Sequence, residues 1–256
     1  MKKITCYIGV WVFALLFIVS VVMIISHYVS EDKAENDFEY LVEIVEEAEE
    51  TESEDMNVSE EILSPLGRYQ ELFCMNNDMY GWISIEGTNI DYPVMYAPDR
   101  KDYYLKRNFE KEHSSYGVPY IAEHCDPREP SDNVILYGHH MKNGSMFSEL
   151  LKYEDKDFFL TQNTIKFDSL TETAEYEIIA VFKTTVYDDS GFKYYLFTKA
   201  ETKEEFDAYV AKCKELSLYE TGVGAEYGDK LITLSTCEYS RTNGRMVVVA
   251  KKVLEE

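Results

Sequence analysis

Eight short strand-like runs, only two well-marked helices among them, and a long uncharged apolar stretch ahead of both predict a mainly β domain behind a membrane-crossing helix. The runs fall at 81–85, 89–96, 118–122, 133–137, 164–167, 176–185, 230–236 and 245–251. They are rich in β-branched and aromatic residues and are bounded by turn formers, the pattern of strands rather than helices. Eight strands with so few helices favour closure into a barrel, which removes exposed edges. A two-sheet sandwich fits the same count.

The chain begins with the apolar stretch. From Ile4 to Ser30 there is no Lys, Arg, Asp or Glu, and 4–25 is mostly Val, Ile, Leu, Phe and Trp. Roughly 22 helical residues at about 1.5 Å each span about 33 Å, enough for a hydrocarbon core of about 30 Å. A cleaved signal peptide would have a shorter apolar core of about 7–15 residues and a small-residue cleavage site. Here bulky Met23-Ile24-Ile25 stands in that place. Lys2 and Lys3 precede the span and Glu31 and Asp32 follow it, so the N-terminus is expected in the cytoplasm and the rest outside. Residues 1–30 are therefore a cytoplasmic tip and anchor, 31–64 an acidic linker, and 65–256 the folded domain.

The linker carries the charge. Of the formal −23, the stretch 31–61 contributes −14, from fifteen acids against Lys33 alone. Such density predicts an extended, solvated segment. The stripe Phe38, Leu41, Val42 and Val45 within it has helical spacing, read here as a transient helix. Ser64-Pro65 then supplies an N-cap and first-turn proline for a helix to about Met75. Ser145 is a candidate N-cap for a short helix with Met146, Phe147, Leu150 and Leu151 inward. A longer helix opens on a capping box, Thr202 and Glu205, and lays Phe206, Tyr209, Val210, Cys213 and Leu216 on one face. It falls between the sixth and seventh strands.

The acidic balance leaves no electrostatic footprint for nucleic acid. Five cysteines, at 6, 74, 125, 213 and 237, include no C-x-x-C pair, so neither a disulfide framework nor a thiolate zinc site is indicated. An exported free thiol needs another explanation. Cys6 lies in the membrane span, Cys74 ends a helix, and Cys213 sits on a buried helix stripe. Cys125 is a rival nucleophile because His124 precedes it, but neighbours on an extended chain point to opposite sides.

Cys237 closes the run Leu231-Ile232-Thr233-Leu234-Ser235-Thr236-Cys237, and Arg245 opens Arg245-Met246-Val247-Val248-Val249 eight residues later. Arg245 alternates with Val247 and Val249, which aims it toward the barrel side, where a charge needs a reason to be. The run 133–137 leads into Gly138-His139-His140. A thiol, an imidazole and a guanidinium at three strand ends form an acyl-transfer set. Pattern alone leaves Cys237 open as nucleophile or core thiol, and does not choose between the two histidines.

Thr233-Leu234-Ser235-Thr236-Cys237, Tyr137-Gly138-His139-His140-Met141-Lys142-Asn143-Gly144-Ser145-Met146-Phe147 and Arg245 resemble the signature segments of sortases, specifically class B. The resemblance runs from about Tyr69 to Lys252 and includes Gly81-Trp82-Ile83 and Gly87-Thr88-Asn89-Ile90-Asp91-Tyr92-Pro93-Val94. It implies the eight-stranded closed barrel over the sandwich, with the helix between strands six and seven walling the substrate groove. It implies Cys237 as nucleophile, His139 as proton carrier and Arg245 as holder of the substrate carbonyl. Ser235 and Thr236 are implied at the substrate or oxyanion.

The implied reaction cleaves the C-terminal sorting signal of a surface protein, NPxTN-like or a related Pro-x-Thr motif, through a thioacyl intermediate. A cell-wall precursor or pilin amine then takes the acyl group. A cysteine peptidase that hydrolyses the same intermediate is the alternative. No cofactor and no metal are implied.

Overall fold

The computed structural model describes residues 2–54, 65–128, 131–186 and 191–253. It divides into two compact units, Met1–Leu41 and Val42–Glu256. The first is the greater part of a single helix, α1 (Lys2–Glu54). Its described apolar residues between Trp11 and Val29 are almost all exposed. With a mean hydropathy of 2.5 in its most apolar window, the helix is long and apolar enough to cross a membrane.

The acidic segment differs from the extended linker expected of it: it is helical to Glu54. Glu is a good helix former, and lengthening an existing helix avoids the nucleation cost that disfavours a short isolated one. Phe38, Leu41 and Val45 are buried, as is Ile44 beside them. The remainder of the linker and the proposed cap Ser64 lie outside the described residues, while α2 (Pro65–Met75) runs to the expected end.

The second unit is a closed barrel of β1 (Met79–Ser84), β2 (Asp91–Met95), β3 (Tyr120–Ile121), β4 (Asn133–Tyr137), β5 (Thr164–Ser169), β6 (Glu175–Thr185), β7 (Leu231–Glu238) and β8 (Gly244–Lys252). Around the barrel they stand in the order β1-β2-β3-β4-β7-β8-β6-β5. Two neighbouring pairs are parallel, β2 with β3 and β4 with β7; the others are antiparallel. β3 is shorter than expected because Pro119, with no N–H, cannot extend its ladder. Its carbonyl instead accepts from Met95 N–H at 2.9 Å.

Alternation along β7 divides Ile232, Leu234 and Thr236 from Leu231, Thr233, Ser235 and Cys237. The second set shares a face with Val247, Val249, Ala180 and Phe182 through the β7–β8 and β8–β6 registers. On that face lie Phe206, Tyr209 and Val210 of α4 (Lys203–Leu216), in one buried cluster with Leu231, Val247, Val249 and Phe182. An eight-stranded barrel has room inside for side chains only, so this is its outer face. Arg245 is thus outside the barrel, against the inward position expected from alternation. Alternation shows which residues share a face; both faces of β8 are apolar because α4 covers the outer one.

Thr202 caps α4 by accepting from Glu205 N–H at 3.3 Å, and the Glu205 carboxylate accepts from Glu201 N–H at 2.9 Å, one residue before the cap. Ser145 is not a cap. Its hydroxyl donates to the Asn143 side-chain carbonyl at 2.8 Å, and the 3₁₀ segment Phe147–Glu154 starts after Met146, whose φ is 58°. Met146, Phe147 and Leu150 are buried as expected, and Leu151 half-buried. A short helix, α3 (Lys156–Thr161), follows.

Candidate active site

The parallel pair β4–β7 brings two distant segments to one rim. Tyr137 stands opposite Ser235, and the ladder runs one residue further, Gly138 N–H donating to Ser235 O at 3.2 Å. The Thr236 hydroxyl returns a bond to Gly138 O at 2.8 Å. Strands that run side by side in the same direction end together, so His139 and Cys237 emerge at neighbouring positions. β8 comes back antiparallel and sets Arg245 directly opposite Cys237. Cross-strand partners on one face have Cβ atoms about 4.5–5.5 Å apart. The thiol and the guanidinium stem are therefore close neighbours.

Gly138 is required by packing. A Cβ there would lie 2.5 Å from the ring of Phe147, which is fully buried. The turn that carries His139 thus sits flat on an aromatic ring, and Phe147 N–H donates to His139 O at 2.9 Å.

The two histidines are held by different carbonyls. His139 Nε2 lies 2.6 Å from Leu105 O. His140 Nδ1 lies 2.8 Å from Cys237 O, and its ring is 4.9 Å from that of Tyr239. A carbonyl accepts only, so His140 donates to the nucleophile's own backbone. That bond holds the end of β7.

Cys237 is half-buried, Cys125 and Cys213 are buried, and Cys74 is exposed. Burial pushes the Cys125 thiol up to about 11 and the Cys213 thiol up to about 12. Cys125 Sγ accepts from Ile135 N–H at 3.4 Å, while exposed His124 reaches the carbonyl of Tyr195. The two side chains thus have separate partners, although the segment is a turn, closed by Cys125 N–H donating to Ala122 O at 3.0 Å, and not the extended chain expected there.

Arg245 is half-buried and spends one N–H on Gly244 O at 2.9 Å. Ser235 and Thr236 are 1% and 2% exposed. The Ser235 hydroxyl is 2.6 Å from that of Tyr194, and the Thr236 hydroxyl is the one bonded to Gly138. Both side chains brace the rim, Ser235 from the outer face of the barrel and Thr236 from the inner one.

Sequence reasoning missed Tyr194, Glu238 and the Leu105 carbonyl. Tyr194 is buried in the β6–β7 connection, and burial pushes its phenol up to about 12 against the Ser235 hydrogen bond and the nearby Arg245 charge. Burial alone would raise Glu238, but the Ser240 hydroxyl and amide, with Lys183 and Arg241, hold its carboxyl below the ordinary range. It stays an anion beneath the rim, 3.7 Å from Lys183 Nζ. A Cys-Glu dipeptide beside a lysine-bearing strand was the available signal for it. A backbone carbonyl has none. Among the described residues no group of three or more His, Cys, Asp or Glu is arranged to hold a metal ion.

Tyr194→Phe is expected to leave the Ser235 hydroxyl buried without its partner and to cost about 1–3 kcal/mol of stability. Urea unfolding followed by circular dichroism measures it; a variant as stable as wild type would mean the bond contributes nothing net.

A cysteine, a histidine and an arginine at the rim of a closed mixed barrel find their counterpart in known proteins. The sortase domain model matches residues 83–253, and the chain belongs to the sortase family of cysteine transpeptidases. Within it the relatives are of class B. Sortase B of Listeria monocytogenes is 39% identical over 200 residues, 77% of each chain, and sortase B of Staphylococcus aureus is 32% identical over 186 residues, 72% of this chain and 74% of that one. The solved complex of Staphylococcus aureus sortase B with a substrate superposes with a TM-score of 0.76 at 28% identity, covering 88% of this chain and 98% of that one.

Proposed function

We propose that this protein is a single-pass transpeptidase whose catalytic domain, 65–256, lies outside the cell and whose N-terminus is cytoplasmic. It cuts the C-terminal sorting signal of surface proteins, an NPxTN-like or related Pro-x-Thr motif, and joins them to a cell-wall or pilin amine. The observation that carries the reading is the apposition of Cys237 with Arg245 across β7–β8, beside His139 at the end of the parallel neighbour. The solved complex of the staphylococcal relative with a substrate supports a substrate site in this fold.

The Cys237 thiolate adds to the scissile carbonyl, and Arg245 holds the oxygen as it becomes negative. His139, protonated, gives its proton to the departing amine as the C–N bond breaks, leaving a thioester on Cys237. An incoming amine then loses a proton to His139, attacks the thioester, and releases the thiolate. Ser235 and Thr236 act through position: their hydroxyls tie β7 to Tyr194 and to the Gly138 turn.

Incubation of the full-length chain in detergent with a Pro-x-Thr signal peptide, with and without an amine acceptor, tests the proposal. Ligated product that depends on the amine is expected. Cleaved product alone, whatever the amine concentration, would show a peptidase instead.

A further inference from the structure

The contact between His139 and Leu105 defines which ring nitrogen is free to move a proton. A carbonyl cannot donate, so the His139 nitrogen 2.6 Å from Leu105 O must carry hydrogen. That nitrogen is Nε2. In the neutral ring the lone pair is then on Nδ1.

The Leu105 carbonyl is held from two sides. It belongs to a 3₁₀ turn, Tyr103–Lys106, anchored by buried Tyr104. The Asn76 side-chain amide donates to the Tyr104 hydroxyl at 3.0 Å, and that hydroxyl donates to the Asp78 carboxylate at 2.7 Å. Arg100 and Lys111 pair with the same carboxylate oxygen. Burial alone would raise the Asp78 carboxyl, but Tyr104, Arg100 and Lys111 hold it below its ordinary value.

From the other side, Val118 N–H donates to Tyr104 O at 3.1 Å. Gly117 lies against the turn with φ at +63°, and a Cβ on it would stand 2.6 Å from Tyr104 O and 2.8 Å from Leu105 O. The two backbones pass this closely because one of them has no side chain.

We infer that the Leu105 carbonyl, placed by the Tyr104 anchor and by the bare backbone of Gly117, fixes His139 in the Nε2–H tautomer and makes Nδ1 the atom that exchanges protons during catalysis. This rests on His139 being the proton carrier proposed above. Before attack the thiol S–H bond breaks as Nδ1–H forms, giving the thiolate and protonated His139; in acylation Nδ1–H then breaks as the amine N–H forms and the scissile C–N bond parts. Nε2–H is untouched throughout and remains on Leu105 O. Leu105 and Gly117 are positioning residues: neither needs to touch the substrate.

The experiment is nitrogen NMR of the full-length chain in detergent, labelled with ¹⁵N-histidine, with the His139 signals identified by their loss in His139→Gln. The expected wild-type pattern at a pH where the ring is neutral is hydrogen on Nε2 and none on Nδ1. Gly117→Ala pushes on the Leu105 carbonyl. It should give a mixture of tautomers and lower kcat by about 10- to 100-fold, the scale set by small misplacements of a catalytic group. KM should stay within about threefold, since substrate contacts are not removed.

Gly222→Ala is the control, because Gly222 has a similar left-handed backbone, φ +82°, with nothing within 4 Å of a Cβ. It should keep both the tautomer and kcat. Hydrogen on Nδ1 in the wild type, or a folded Gly117→Ala with wild-type kcat and tautomer, overturns the inference. If Gly117→Ala does not fold, the wild-type spectrum alone decides. An active His139→Gln would defeat the proton-carrier reading itself. An inactive His139→Gln together with an Nδ1–H wild type would defeat only the assignment of the nitrogen.

Discussion

Cys237→Ala is expected to abolish cleavage of a sorting-signal peptide, while Cys125→Ala and Cys213→Ala retain the chemistry. The difference lies in the environment of each sulfur. Thiolate is the nucleophile, and four pH units below a value of about 11 only roughly one Cys125 thiol in 10⁴ is ionised at neutral pH. Cys213, pushed up to about 12, is poorer still. Both are enclosed, so each alanine removes one buried sulfur and is expected to cost about 1 kcal/mol through a small cavity. Cys237 is half-buried at the rim. Alkylation of the native protein with iodoacetamide should therefore modify Cys237 and exposed Cys74 and spare Cys125 and Cys213. Peptide cleavage by folded Cys237→Ala would end the proposed mechanism.

Arg245→Ala is expected to lower kcat/KM by about 10² to 10³, the loss of about 2.7–4 kcal/mol seen when one oxyanion donor is removed. The fold should survive, because among the described residues the hydrogen bond of this side chain is to the neighbouring Gly244 carbonyl. Arg245→Lys should stay well below wild type: a flexible ammonium cannot hold Gly244 O and present a second directed N–H as the planar guanidinium does. Arg241→Lys should be nearly silent, since Arg241 is exposed and its electrostatic effect on Glu238 survives the change. The measurement is kcat/KM on one peptide for all three, with circular dichroism to confirm folding. A folded Arg245→Ala within about threefold of wild type, a loss of only about 0.65 kcal/mol, would exclude the oxyanion role.

Strand content and helix positions were legible because each element carries a local signal. Asn133–Tyr137 is an apolar run between turn formers, and Thr202 with Glu205 marks a helix start. The sides of the elements were not. Arg245 alternates with Val247 and Val249, but the inner and outer faces of β8 are equally apolar, and only the position of α4 tells them apart. The acidic segment misled for a related reason: charge density argues for extension, yet glutamate also favours the helix, and a buried apolar stripe runs along it.

At the site, Cys237, Arg245 and the pair His139-His140 were readable as residue types at strand ends, and only the resemblance chose His139. What surrounds them was not. Leu105 contributes a carbonyl common to all residues. Tyr194 reaches Ser235 across 41 positions of sequence. Ser235 and Thr236 show their bracing roles only once both hydrogen-bond partners are in place.

The position of β8 bears on how an active molecule comes into being. β8 follows both of its partners in the chain yet lies between them, with β7 on one side and β6 on the other. A chain that has folded as far as β7 has two unjoined edges where the barrel should close, and such non-local pairing is slow to form. Arg245 arrives on the strand that joins those edges, so ring closure and acquisition of the proposed oxyanion holder are one event. An incompletely synthesised or locally opened barrel would then carry a thiol and an imidazole without the third partner. Activity would report completion of folding.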